Sequence, residues 1–289
     1  MSEKRYLIDR AELPYDAFVA DPSWLCPVEE QKKAPAVKCV LIHDNFQNFK
    51  GYSIPKAQLV IADIPYNIGT DFYASRPDWY VDGDNKNGES SKARKAAFNT
   101  DFTFNIAEYF AFCNRLLKKE PKIGEKDAPC MIVFCAFQQI PEVIRQAGKY
   151  GFKNYIPLVF CKNYSPQVLK ANMKIVGATE YALVLYRGKL PKFRNMDSDG
   201  KTHMVFNWFD WKRDGKEYPK IHPSQKPVSV LKRLIGIFTD PGDVVIDPCA
   251  GSGSTLRAAR ELGRHSYGFE VSTEFYRKAK EQMLLEGAI

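Results

Sequence analysis

The feature that most restricts the fold lies near the C-terminus, where Val244-Val-Ile246 runs straight into Asp247-Pro-Cys-Ala-Gly-Ser-Gly-Ser-Thr255. Three apolar residues make a short buried strand, and the glycines Gly251 and Gly253 make a tight loop that leads into a helix through Leu262. The next apolar run, Ser266–Phe269, ends at Glu270, nineteen residues beyond Gly251. Strand, glycine loop, helix, strand and acid in that order predict a βαβ unit. In such a unit the glycines let a ligand approach the backbone at a helix N-terminus, and the acid at the tip of the following strand can grip a ribose diol. Nucleoside binding is the expectation, and a dinucleotide-dependent dehydrogenase would use the same layout.

The rest of the chain continues the α/β pattern. Val37–Ile42 reads as a buried strand ending at Asp44, and Ala57–Ala62, Cys130–Phe134, Tyr155–Phe160 and Tyr181–Tyr186 read as further strands. Phe104, Ala107, Phe110, Ala111, Asn114 and Leu117 recur at helical spacing, and a second helix is expected near Pro141–Tyr150. Pro227 opens a helix carrying Val230, Leu231, Leu234, Ile235 and Phe238, where its missing N–H costs little. A closing helix starts at Ser272. Residues 1–36 hold several prolines and no clear period, and are expected to form an N-terminal arm outside a domain spanning 37–289. Two irregular stretches interrupt that domain. Residues 72–98 are too long and polar for a plain connector, and residues 187–220 mix basic side chains with Phe193, Phe206, Trp208, Phe209 and Trp211. The second reads as a small recognition insert or as a lid over the core.

Charge and cysteine usage narrow the function classes. A net charge of +8 and a pI of about 9.0 suit a polyanionic partner, because lysine and arginine release counterions from phosphates, although a solvated basic surface would give the same balance. With 26% charged and 45% hydrophobic residues the chain is too polar for membrane spans, and MSEKRYLIDR lacks the apolar run of a signal peptide. Seven scattered cysteines without a Cys-x-x-Cys pair argue against a disulfide framework and against zinc, so a reduced cytoplasmic setting and no metal are expected.

A second site stands at the end of the Ala57–Ala62 strand, in Asp63-Ile-Pro-Tyr66. Ligands of open α/β sheets collect at such strand ends. The exocyclic amino group of adenine is a poor nucleophile, because its lone pair is delocalised into the ring. A carboxylate at Asp63 can accept one N–H while a backbone carbonyl in the same turn accepts the other, which favours pyramidal nitrogen and stabilises charge developing on it. Tyr66 would stack on the base. Standing alone, such a turn is an ordinary strand end.

Taken together, Asp63-Ile-Pro-Tyr66, then His222-Pro-Ser-Gln-Lys-Pro227, then the glycine loop resemble the DNA amino-methyltransferases of adenine N6 and cytosine N4 in their permuted, beta-class order. The resemblance runs from about Val37 to the C-terminus. It implies a doubly wound, mostly parallel seven-stranded α/β sheet of the S-adenosylmethionine-dependent type, with circularly permuted motifs; the strand near Tyr181–Tyr186, the last to pair, is expected to run antiparallel. It also implies Asp63, Ile64, Pro65 and Tyr66 as the catalytic group, and Asp247, Cys249, Gly251 and Gly253 around the methionine part of S-adenosyl-L-methionine. Glu270 would hold the ribose, His222 and Lys226 would help enclose the cofactor, and Asp44 matches the acid near its adenine. Two positions depart from the family pattern. Ile64 stands where proline is usual, but Pro65 still biases it toward an extended conformation, and Cys249 replaces an aromatic ring beside the cofactor. Ser224 for threonine is a milder change.

DNA is the implied partner, with Arg94 and Lys95 in the polar loop as candidate nucleic-acid contacts; related enzymes often pair, so a homodimer is among the expectations. Aspartate at the first catalytic position favours adenine N6, with cytosine N4 as the alternative. Chemistry at cytosine C5 would need a cysteine nucleophile, yet Cys130 opens an apolar strand and reads as core. A non-catalytic nucleic-acid binder that kept the fold is the alternative from another class, and intact Asp63, Tyr66 and both loop glycines argue against it.

Overall fold

The computed structural model describes residues 37–65, 104–163, 167–170, 175–196, 200–222 and 224–285. In chain order the elements are β1 (Cys39–Ile42), β2 (Leu59–Asp63), α1 (Ile106–Leu116), β3 (Cys130–Cys135), α2 (Ile140–Lys149), β4 (Asn154–Lys162), β5 (Gln167–Lys170), β6 (Ile175–Gly177), β7 (Thr179–Tyr186), β8 (Trp208–Trp211), α3 (Val228–Phe238), β9 (Val244–Asp247), α4 (Ser254–Glu261), β10 (His265–Phe269) and α5 (Thr273–Lys278), which runs on into a π-helical turn, Ala279–Met283. Every apolar run read as a strand forms one. The reason is visible in burial: β3 is buried at all six positions and β2 at its first four, because helices cover both faces of the central sheet.

The main sheet has eight strands in the order β1-β10-β9-β2-β3-β7-β4-β8, one more than expected. β7 pairs antiparallel with both neighbours and the other pairings are parallel. The antiparallel strand is therefore the anticipated one, but it lies inside the sheet, with β4 and β8 beyond it. The additional strand, β8, comes from the irregular 187–220 segment and alternates exposed and buried residues, as an edge strand with one solvated face does. β5 and β6 form a separate antiparallel pair.

Helices α3 and α4 pack on one face around Leu231, Leu234, Ile235 and Leu256, whereas α1 and α2 cover the other around Tyr109, Phe110, Phe112 and Val143. From β9 the chain crosses through α4 to β10 on one side, and from β2 through α1 to β3 on the other. The strand order thus reverses between β9 and β2, which opens a crevice at their carboxyl ends. All of this belongs to one compact unit, Lys33–Arg194 with Val205–Ile289; Asn195–Met204 fall in a smaller unit, where Met196 bridges to Thr202. The expected arm, 1–36, and the loop 72–98 lie outside the described residues.

Candidate active site

Three acids arrive at this crevice because three neighbouring parallel strands end there. Asp63 closes β2, Asp247 closes β9 and Glu270 follows β10. One cleft is lined by Asp63, Ile64 and Pro65 together with His222, Lys226, Asp247, Cys249, Gly251 and Glu270. Asp44 and Gly253 do not line it, and Tyr66, Arg94 and Lys95 lie outside the described residues.

The glycine loop takes the backbone shape its residues predict, with Gly251 at φ +51° and Gly253 at φ +77°, the left-handed region that disfavours a Cβ. Gly251 N–H donates to Glu270 Oε2 at 2.8 Å and Ser272 N–H to Oε1 at 2.7 Å, so the acid at the tip of β10 fixes the loop. Burial raises the Glu270 pKa while these N–H groups pull it down. Asp247 is 3% exposed and accepts from Cys249 N–H at 2.9 Å and from the Thr255 side chain. Burial, helped by the charges of Asp63 and Glu270, pushes it up to about 7. The Cys249 thiol is driven well above its usual range by burial and the same acids, which leaves it protonated and unreactive at neutral pH.

A Cβ on Gly251 would lie 3.8 Å from the His222 ring, so bare backbone and imidazole face each other across the cleft. His222 packs edge-on against Phe275, sits 3.0 Å from Ser224 Oγ through Nδ1, and is kept neutral by burial and by Lys226 and Lys220, with a pKa near 3. At Gly253 a Cβ would make only ordinary contacts, with Leu284 at 3.4 Å and Ala279 at 3.5 Å, so it is the left-handed backbone at the N-terminus of α4, not lack of space, that calls for glycine. Asp44 anchors a 3₁₀ turn rather than lining the cleft: Oδ1 accepts from Asn45 N–H and Asn48, Oδ2 from Tyr52, each at 2.7 Å. It is the following residues, Asn45, Phe46 and Gln47, that reach the cleft wall.

The Asp63–Pro65 turn is tied on both sides. Ile64 is buried and its N–H donates to Phe134 O at 3.2 Å, while Pro65 O accepts from Gln139 Nε2 at 3.0 Å. Gln139 is itself held by Ala136 N–H donating to its Oε1 at 3.1 Å. Lys226 does more than enclose the cleft, because its ammonium donates to Asp63 Oδ2 at 2.6 Å and lies 2.9 Å from Glu180 Oε2 on β7. Glu180 also pairs with Lys162 of β4. Burial works against the Lys226 charge, but Asp63 and Glu180 hold its pKa up at about 12; burial likewise opposes the Glu180 charge, and the two lysines hold that pKa down. Sequence reasoning missed Glu180 and Gln139. An acid directly before the apolar run Tyr181–Tyr186 was the only hint of the first, and nothing local marked the second.

The 187–220 segment divides. Lys192 pairs with Asp240 and Asp243, and Arg194 with Asp127 and Asp240, just before the starts of β9 and β3, at the opposite end of the parallel strands from the cleft. β8 then runs parallel to β4 and brings Trp211 to the cleft edge, level with Lys162. Among the described residues no helix is long and apolar enough to cross a membrane, and no cluster of His, Cys, Asp or Glu could hold a metal ion.

The DNA methylase family, of N6/N4 type, matches residues 57–281. The DNA adenine methyltransferase YhdJ of Escherichia coli strain K12 is 27% identical over 255 residues, covering 82% of this chain and 80% of the relative. The fold is similar to the crystal structure of the M1.HpyAVI–SAM complex, with a TM-score of 0.56 at 21% identity over 85% of this chain and 99% of that one. It is also similar to the PvuII DNA methyltransferase, described as cytosine-N4-specific, with a TM-score of 0.58 at 16% identity over 88% and 91%.

Proposed function

The chain belongs to the DNA methylase family of adenine-N6 and cytosine-N4 methyltransferases, and from that premise we propose that it methylates N6 of adenine in DNA with S-adenosyl-L-methionine as the donor. The observation that carries the reading is the single cleft in which Asp63 faces the glycine loop, Asp247 and Glu270.

The donor set suits this cofactor. Glu270 has lone-pair capacity beyond the backbone N–H groups of Gly251, Val271 and Ser272 for a ribose diol, Asp247 offers an acceptor toward the methionine part, and Gly251 keeps the cradle open where a side chain would intrude on the space before His222. When bound, the cofactor supplies a methyl group on a sulfonium, which is already electrophilic. The protein's share is then alignment and acceptance of hydrogens. Asp63 accepts one N–H of the target amino group and the carbonyl of the Ile64–Pro65 turn accepts the other. Gln139 steadies that turn by holding the next carbonyl, and the neutral ring of His222 closes the cleft wall. Tyr66 follows directly in the chain and stacks on the flipped base, an interaction worth roughly 1–3 kcal/mol against a flipping cost of a few. Aspartate at the first catalytic position and the resemblance to an adenine methyltransferase support adenine over cytosine.

A covalent route through cysteine has no support. Cys130 is fully buried with its thiol pKa driven up, and burial pushes Cys135 up to about 12, with Asp63 adding to the effect. Arg94 and Lys95 contact the DNA backbone in this reading, and the setting is cytoplasmic. Incubation with labelled cofactor and mixed DNA, followed by nucleoside analysis, should yield N6-methyladenine. Asp63→Ala should lower turnover by about three orders of magnitude or more while leaving cofactor binding nearly intact. Recovery of N4-methylcytosine would reassign the base, and 5-methylcytosine or an active Asp63→Ala enzyme would overturn the mechanism.

A further inference from the structure

The carboxylate proposed to act on the target amino group is already engaged. Lys226 Nζ lies 2.6 Å from Asp63 Oδ2 and is buried, its side chain 7% exposed. An amino N–H cannot use that oxygen fully while an ammonium holds it, and the positive charge that grows on the nitrogen would be repelled by a cation on the same carboxylate. Lys226 therefore needs a second place to put its charge. The fold supplies one, since Glu180 Oε2 lies 2.9 Å from the same Nζ.

We infer that Glu180 is a positioning residue that takes up the Lys226 ammonium when the target amino group occupies Asp63. The inference rests on the reading of Asp63 given above. Three features of the surroundings support it. Asp63, Glu180, Lys162 and Lys226 sum to zero charge, and Lys226 is already paired with Glu180, so a shift that gives up Asp63 keeps one buried ion pair and leaves no unpaired cation. The rings of Phe134 and Trp211 lie 5.4 and 5.5 Å from Lys226 Nζ and offer their π faces as it moves. Glu180 itself is held in place, because it is paired with Phe160 of β4 in the sheet and its second oxygen is held by Lys162.

A double-mutant cycle tests this with Glu180→Gln, Lys226→Met and the pair, read by single-turnover methylation of DNA at pH 8 and by cofactor affinity in calorimetry, which also reports a folded cleft. Glu180→Gln leaves Lys226 with Asp63 as its acidic partner in this trio, so methylation should slow by about 100-fold at unchanged cofactor affinity. Adding Lys226→Met to that variant should restore at least about tenfold, because the competing cation is gone. Lys226→Met alone should slow methylation less than Glu180→Gln does, and Glu180→Asp, which keeps the carboxylate one methylene farther back, should slow it by less than about tenfold and gives the answer should Glu180→Gln not fold. A double variant no faster than Glu180→Gln, a Glu180→Gln protein as fast as wild type, or a Lys226→Met protein slowed as much as Asp63→Ala would overturn the inference while leaving the functional reading intact. A wild-type protein that transfers no methyl group would overturn both.

Discussion

Asp247→Asn should make the protein more stable, and more so as pH rises. The wild-type carboxyl sits at the end of β9, 3% exposed, with its pKa moved from 3.8 to about 7, chiefly by burial. Below about pH 4 the carboxyl is protonated in both folded and unfolded chains and contributes no difference. Between about pH 4 and 7 the unfolded chain has lost the proton that the folded chain retains, so each pH unit subtracts about 1.4 kcal/mol from stability. Above pH 7 both forms are ionised and the full cost stands, on the order of 4 kcal/mol for a shift of about three units. Asparagine cannot ionise, yet its Oδ1 can still accept the Cys249 N–H, and removing the charge relieves Asp63 and Glu270 as well. Urea unfolding of both proteins at pH 5, 6, 7 and 8, followed by circular dichroism, should show a stability difference that widens in favour of the variant by a few kcal/mol. The slope decides, because any constant offset from altered bonding to Thr255 cancels. A difference independent of pH, or one that narrows toward pH 8, would refute the argument. Against a typical total stability of about 5–15 kcal/mol this is a large sacrifice, which is expected only of a group kept for ligand chemistry.

Three further outcomes follow from the same geometry. Glu270→Ala removes the acceptor for Gly251 and Ser272 N–H and the proposed ribose contact, so cofactor affinity in calorimetry should fall by about 1.5–3 kcal/mol; unchanged affinity would remove the assignment. Gly268→Ala places a Cβ 2.7 Å from Leu256 Cδ1 and 3.0 Å from Ala250 Cβ, under the glycine loop, and should destabilise by about 1–3 kcal/mol in denaturant unfolding while weakening cofactor binding. Neutralising Arg94 and Lys95, or Lys212 and Arg213 beyond Trp211, should lower DNA affinity and flatten its salt dependence, whereas neutralising Lys192 and Arg194 should chiefly cost stability; equal salt slopes for the three pairs would refute that division.

What the sequence made legible is what burial on both faces writes into it. Strands β2 and β3 are covered by helices on each side and read as unbroken apolar runs, and the glycine loop declares itself because two left-handed positions and an acid one strand later are all local. β8 escaped because its Trp-Phe-Asp-Trp alternation suits one wet face and sits among basic residues, and the depth of β7 in the sheet escaped because pairing order leaves no local trace. The same limit applies to the cleft. The contact between Lys226 and Asp63 joins residues 163 apart, and Gln139 reaches Pro65 across 74, so these contacts exist only once parallel strands have brought their ends together.

Charge raises the same difficulty at the scale of a segment. The basic residues of 187–220 looked like one recognition surface, but a chain that runs parallel to β4 along the sheet edge begins at one end of the strands and finishes at the other. Lys192 and Arg194 are therefore consumed in holding the starts of β3 and β9, through Asp127, Asp240 and Asp243. Lys212, Arg213 and Lys216, exposed and just past the strand that carries Trp211 to the cleft edge, are the ones that the proposed function expects to meet a phosphate backbone. A net charge of +8 suits a polyanionic partner; the direction of one edge strand decides which of the cations in this segment lie on the side of the cleft.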